Sequence, residues 1–270
     1  MNLRLTCLSF VVFAFFLSFP SDGYCWKRNK NRVHKIEFNF VEPDYIAMKA
    51  KQEGSAIQAE ALDINRVYDV ERRFREGIDV SHYQGRIDWD QVAGSESISY
   101  VYLKATEGAS YVDDTYSRNL REVRRVGLSV GSYHFYRPNV SWEQQLENLT
   151  SNVISMDQDL VPIIDIEHRG RVSQTKFISD LKKFVQKVEL HYGKKPLLYS
   201  YQNFYNKYLQ GHFPDHHWMI AKYQEAKPVL EDGKDYIMWQ YTQAGSLPGV
   251  EGNVDRSCIM QGFALYHVQM

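Results

Sequence analysis

The sequence predicts an α/β chain, a TIM-like barrel of five βα units followed by three strands with few helices between them. Three observations predict it. The chain has 270 residues and is 44% hydrophobic, which suits one large domain of barrel size. Strand-like segments alternate with helical ones through the first two thirds, then follow one another almost directly. Seven of these segments end in groups fit to bind or react: Asp79, Thr106 with Glu107, His134 with Tyr136, Asp165 with Glu167, Tyr199 with Tyr201, Lys222 with Tyr223, and Gln240 with Tyr241. Barrel enzymes place their chemistry at that end of their strands.

The barrel is expected to begin near residue 76. Residues 1–23 read as an export signal: Arg4 supplies a positive charge, and residues 8–19 are apolar apart from Ser9 and Ser18. Ser21 and Gly23 are small residues at −3 and −1 of a cleavage after Gly23. The run is short for a spanning helix. Membrane attachment through the N-terminus is the alternative, because Lys27, Arg28, Lys30, Arg32 and Lys35 follow the run. The chain is therefore expected to be exported: periplasmic, envelope-associated or secreted. Residues 24–75 are polar and charge-rich, with Pro43 and Gly54 as breaks, and read as a spacer. Residues 76–270 form the expected barrel domain, a monomer.

Within it, Glu76-Gly77-Ile78-Asp79-Val80-Ser81 reads as a short strand. Residues 99–105 alternate as a second strand. Residues 114–126 read as a helix with Tyr116, Leu120 and Val123 on one face and Gly127 as its stop. A third strand covers 128–135. Ser141 with Gln144 makes a capping pattern for a helix to about residue 154. Ser173 caps a long helix with Phe177, Ile178, Leu181, Phe184, Val185 and Val188 on its apolar face, closed by Gly193. Strands are expected at 195–201, 218–223, 236–242 and 254–260, with a short helix at 203–209. Trp89 reads as packing.

The segment Leu160-Val161-Pro162-Ile163-Ile164-Asp165-Ile166-Glu167-His168 carries the chemistry. Its apolar, β-branched run reads as a buried parallel strand. Side chains alternate along a strand, so Asp165 and Glu167 share one face, their Cα atoms roughly 6.5 Å apart from the strand rise. Buried acids are costly unless something pairs or uses them. A catalytic pair at a barrel mouth uses them; a salt-bridged surface pair is the bland alternative.

Composition excludes some partners. A net charge of −1 gives no reason to expect nucleic acid. Beyond the signal, only Cys25 and Cys258 remain, at opposite ends of the chain. Their placement argues for a buried free Cys258 and not for a disulfide. No cluster of Cys and His has metal-ligand spacing, so neither metal nor cofactor is expected. Lys104 reads as a salt-bridge partner for a buried acid and not a catalyst, and Glu107 as structural.

With these residues in hand, the chain resembles glycoside hydrolase family 25, the lysozymes that cut bacterial peptidoglycan. The matching stretches are Gly77-Ile78-Asp79-Val80-Ser81, Tyr102-Leu103-Lys104-Ala105-Thr106-Glu107-Gly108, Gly131-Ser132-Tyr133-His134-Phe135, Ile164-Asp165-Ile166-Glu167, Trp239-Gln240-Tyr241-Thr242 and Gly249-Val250-Glu251-Gly252-Asn253-Val254-Asp255. They run in the expected order between residues 76 and 263. The resemblance implies an N-acetylmuramidase, with Glu167 as acid/base and Asp79, Asp165 and Asp255 as the other active-site carboxylates. Tyr133, His134, Tyr136, Tyr199, Tyr201, Gln240 and Tyr241 are expected to line the groove for peptidoglycan glycan strands. The family usually has Asn two positions after the last Asp; this chain has Ser257, so altered contacts are expected there.

Two other readings compete. A catalytically inactive glycan-binding protein would keep the aromatics and lose an acid, but all four acids are present. A metal-dependent hydrolase would use the same acids as a hard-cation site.

Cell fractionation tests the export signal. The protein should be recovered outside the cytoplasm, and a full-length cytosolic chain would contradict the reading.

Overall fold

A computed structural model describes residues 76–270. The proposed signal and spacer, residues 1–23 and 24–75, lie outside the described residues.

Five βα units come first. They are β1 (Glu76–Val80) with α1 (Trp89–Gly94), β2 (Ile98–Glu107) with α2 (Tyr116–Val126), β4 (Ser129–Phe135) with α3 (Trp142–Asn152), β5 (Ile163–Asp165) with α4 (Gln174–Tyr192), and β6 (Leu197–Tyr201) with the short α5 (Gln202–Phe204). A two-residue strand β3 (Tyr111–Val112) folds back on the end of β2. Then β7 (Trp218–Ala221), β8 (Met238–Gly245) and β9 (Val254–Ile259) follow. Of the nine strands, β3 pairs only with β2; the other eight close into a ring, because β1 pairs with both β2 and β9.

The caps fall where the sequence puts them. Ser141 and Ser173 accept hydrogen bonds from the first-turn amides of Gln144 and Lys176. Gly127 and Gly193 close α2 and α4 in the left-handed conformation that glycine adopts without a Cβ penalty. The helix α1 was not expected; Asp88 caps it and Trp89 buries itself in the core. The hairpin strand β3 was not expected either.

The expected TIM-like barrel of five βα units and three further strands is present, and its last strand departs from the parallel pattern. Seven strands from β1 to β8 pair in parallel, but β9 runs antiparallel to both β8 and β1. The reason is connection length. A parallel return needs a crossover of a dozen or more residues, and only residues 246–253 separate β8 from β9. They suffice for a hairpin-like return. Residues 222–237 between β7 and β8 form no helix but are enough for a crossover.

Alternation along the strands sorts two cores. Val101, Leu103, Ile164, Leu198 and Ile220 face outward and pack with Val123, Phe177, Leu181, Phe184 and Val188 of the helices. Tyr100, Tyr102, Ile163, Leu197, Met219 and Ile259 face inward and fill the barrel. The interior tyrosines require glycines beside them. Tyr100 is in register with Gly77, and Tyr102 with Gly131. A Cβ at Gly77 would lie 2.1 Å from the Tyr100 ring, and one at Gly131 would lie 2.3 Å from the Tyr102 ring. The phenols are anchored as well. Tyr100 Oη lies 2.9 Å from Ser257 Oγ, and the Tyr102 hydroxyl donates to the Val161 carbonyl. Below them, the chain's end seals the barrel floor, with Val161 N–H donating to the Val268 carbonyl.

Gly77→Ala should therefore destabilise the fold by overpacking. Urea unfolding should show a loss of about 2–3 kcal/mol, because a fully buried ring has nowhere to move.

Candidate active site

Asp79 is the last residue but one of β1, Asp165 ends β5, Glu167 lies two residues on, and Asp255 is the second residue of β9. Parallel strands bring their C-terminal ends to one mouth. An antiparallel strand brings its N-terminal end there, and this puts Asp255 directly opposite Asp79 in the β1–β9 register. All four acids line one cavity of about 230 Å³, together with Lys104, Tyr133, Tyr199, Tyr201, Tyr223 and Gln240.

Gln240 organises one side of this cavity. Its Oε1 accepts from the hydroxyls of Tyr199 at 2.7 Å and Tyr223 at 2.8 Å. That leaves its Nε2 to donate to Asp79, at 2.9 Å and 3.0 Å from the two carboxylate oxygens. Burial, then repulsion from Asp255, raises the Asp79 pKa against the pull of the Gln240 amide. Burial raises Asp255 too, opposed by a hydrogen bond from Asp79. Both directions reflect the cost of placing two charges on neighbouring buried carboxyl groups.

The other pair differs. Asp165 is buried, and its Oδ1 has no hydrogen-bond partner among the described residues. Burial, then Glu167 and Asp79, raises its pKa, with Lys104 opposing. Glu167 is pushed up to about 7, mainly by burial; a hydrogen bond from Tyr201 and the charges of Lys104 and Arg137 pull the other way. Ile166 between them is fully buried in the outer core, as strand alternation requires.

Lys104 extends toward the mouth and meets Glu107 at 2.6 Å, and Arg137 Nε meets the same carboxylate at 2.8 Å. Lys104 is thus a salt-bridge partner, of the half-buried Glu107. Ser257, in place of the family's usual Asn, turns into the barrel and meets Tyr100. Cys258 is half-buried rather than buried, and Cys25 lies outside the described residues. Among the described residues, no group of three or more His, Cys, Asp or Glu side chains is arranged to hold a metal ion.

Three of the expected groove residues are elsewhere. His134 points outward on β4, bonds Thr106 Oγ1 at 2.8 Å and Gln145 at 3.3 Å, and packs on Phe184. Burial depresses its pKa to about 4. Tyr136 joins the same outer core and also packs on Phe184. Tyr241 packs against Trp239 and hydrogen-bonds Glu76. Each is one position out of phase with an inward neighbour: His134 and Tyr136 flank Phe135, and Tyr241 follows Gln240. Nearness to a strand's end selected them; side-chain parity removes them. Parity also recovers a missed residue, Phe135, which shares the inward face with Tyr133. Tyr223 was noted at its strand's end but not assigned to the groove.

The model of glycosyl hydrolases family 25 matches residues 78–250. The uncharacterized protein YegX of Escherichia coli is 36% identical over 183 residues, covering 66% of this chain and 67% of its own length. Lysozyme M1 of Streptomyces globisporus is 31% identical over 196 residues, covering 67% of this chain and 66% of its own. Among solved structures, a family 25 glycosyl hydrolase from Bacillus anthracis superimposes with a TM-score of 0.64 at 30% identity, covering 70% of this chain and 89% of that one. A bacterial lysozyme from Streptomyces coelicolor gives 0.64 at 29% identity, covering 72% and 94%.

The raised Glu167 pKa couples stability to pH. Folded Glu167 holds its proton up to about 7, against 4.5 for an ordinary glutamate. The protonated form therefore stabilises the fold; its contribution is complete below about 4.5 and is lost as pH rises through about 7. Glu167→Gln is neutral at every pH and escapes that loss. Its unfolding temperature should exceed wild type at pH ~8, with the gap closing toward pH ~4.5. A gap that does not change with pH would contradict the raised pKa.

Proposed function

The chain belongs to glycosyl hydrolases family 25 and is a glycoside hydrolase, and from that premise we propose that it is a peptidoglycan hydrolase cleaving the β-1,4 bond between N-acetylmuramic acid and N-acetylglucosamine. One observation carries the reading: a glutamate whose pKa is raised to about 7 stands two residues from a buried aspartate with an unpartnered oxygen. Glycosidic cleavage needs a proton for the leaving oxygen and a group that stabilises the sugar's developing positive charge.

Glu167 is the proton donor. Near neutral pH a substantial share of it is protonated, as a general acid requires. Asp165 orients the substrate's own acetamide. Its free Oδ1 accepts from the acetamide N–H in either protonation state of the carboxyl, which aims the acetamide oxygen at the anomeric carbon. That oxygen forms the new bond as the glycosidic bond breaks and the leaving oxygen takes the proton of Glu167. The resulting carboxylate then accepts a proton from the water that opens the cyclic intermediate. Asp79 and Asp255, both raised in pKa, add less negative charge than two ordinary carboxylates would. Tyr133, Tyr199 and Tyr201 border the bound sugar. Residues 76–270 constitute the hydrolase domain, carried out of the cytoplasm by the signal at residues 1–23 to reach a cell wall.

Incubation of the purified protein with peptidoglycan should release fragments with N-acetylmuramic acid at the reducing end. Glu167→Gln should lower the rate on natural glycan by about 10²–10⁴-fold, and less on an aryl glycoside whose leaving group needs little protonation. Asp165→Asn should impair both substrates alike, because the acetamide attacks in each. If Asp165→Asn spares the aryl glycoside while Glu167→Gln abolishes its cleavage, the two roles are reversed. Binding without turnover would favour the inactive glycan-binding protein, and turnover lost on chelation would favour the metal-dependent hydrolase.

A further inference from the structure

The parallel strands begin at the barrel floor, on the face opposite the acids, and a second cavity opens there. Its volume is about 220 Å³, against about 230 Å³ for the acid cavity. Residues just ahead of β6 and β7 build it together with the chain's last turn. Lys194, Lys195, His217, Tyr266 and His267 border it, and Asp215 is the one acid beside them. The floor of such a barrel ordinarily serves stability. Gathering groups of like charge there works against stability.

The cations are not spent on carboxylates. Among the described residues, Lys194, Lys195 and Lys234 take part in no ion pair. Lys195 Nζ reaches the Asp215 backbone carbonyl at 3.4 Å, and Lys234 Nζ donates to the Pro214 carbonyl. The two imidazoles are held side by side. The His217 and His267 rings meet edge to face at 6.0 Å, and both pack on Phe263, at 5.9 Å and 5.6 Å. Tyr266 stacks on the His267 ring at 4.0 Å. His267 Nδ1 lies 3.1 Å from the Ala264 N–H and 3.0 Å from the Ala264 carbonyl oxygen. The neutral ring accepts from that amide, and the charged ring donates to that carbonyl. Its Nε2 therefore carries a proton in both states. Partial burial, then the charges of His267, Lys234 and Lys195, hold the His217 pKa below its ordinary value. A bound anion relieves that crowding.

We propose that the floor cavity is a binding site for a phosphate group, carried by a soluble phosphate ester or by a lipid headgroup. The donor set decides the class of anion. A planar carboxylate is matched by the guanidinium fork of arginine, and no arginine borders this cavity. Ammonium groups and imidazole N–H groups on separate loops approach from several directions, which suits a tetrahedral anion. Asp215 is exposed and subtracts one charge, but the two lysines outweigh it even with both histidines neutral. A cavity nearly as large as the acid cavity has room for the group that the phosphate esterifies. The site opens away from the acids, so a phosphate held there leaves the barrel mouth free.

The test titrates the full chain at neutral pH with inorganic phosphate, glycerol phosphate and acetate, read from the imidazole ring-proton NMR signals of His217 and His267. In parallel, sedimentation is measured with vesicles of phosphatidylcholine, with and without phosphatidylglycerol. Both signals should shift saturably with the phosphates and far less with acetate. Lys194→Gln combined with Lys195→Gln should weaken phosphate binding roughly 3- to 30-fold, the worth of two exposed charge contacts. Lys176→Gln removes the same charge from the first turn of α4, at the mouth end, and should change nothing. Glycerol phosphate binding without vesicle binding upholds the site and assigns it a soluble ester. Sedimentation with the anionic vesicles that the double variant loses upholds it and assigns the lipid headgroup. An equal response to acetate overturns the phosphate assignment. Phosphate binding that the double variant keeps in full, or signals that no phosphate moves, overturns the site.

Discussion

The contact on which the rest depends is the carboxyl pair at the closing seam of the barrel. Asp79 and Asp255 face each other across β1 and β9 in direct register. Two buried carboxylates side by side repel unless a proton or donors intervene. The amide of Gln240 meets part of that cost from β8. Gln240 can offer its amide only because Tyr199 and Tyr223 occupy its carbonyl oxygen. Side chains from β6, β8, β9, β1 and the loop after β7 are therefore tied into one hydrogen-bonded chain around half the barrel mouth.

Beneath that chain, the barrel is filled to leave the acids dry from below. Tyr100 and Tyr102 lie across the interior where Gly77 and Gly131 give them room. The Ser257 substitution belongs to this layer. Its hydroxyl is short enough to sit beside the Tyr100 phenol at 2.9 Å. The low-dielectric floor is also why burial is the leading cause of every raised acid in the cavity. Packing below the site and acidity within it are consequences of the same arrangement.

The two acid pairs divide the labour by environment. Asp79 and Asp255 are satisfied by each other and by Gln240, so they are fixed. Asp165 keeps an open oxygen, and Glu167 keeps a proton within reach of neutral pH. Lys104, facing the cavity but bound to Glu107, moderates the second pair without neutralising it.

Much of the fold was legible in the sequence because its signals are local. Helix caps at Ser141 and Ser173, stops at Gly127 and Gly193, and the alternation of the strands depend on residues a few positions apart. Alternation alone placed Asp165 and Glu167 on one face and Ile166 on the other. Two things needed the tertiary structure. The direction of β9 follows from a short connection and the demand that the sheet close, and only that direction carries Asp255 to the mouth; from the residues alone, its place there came by family resemblance. The loss of His134, Tyr136 and Tyr241 from the groove depends on which parity of each strand faces inward, which the closed barrel decides.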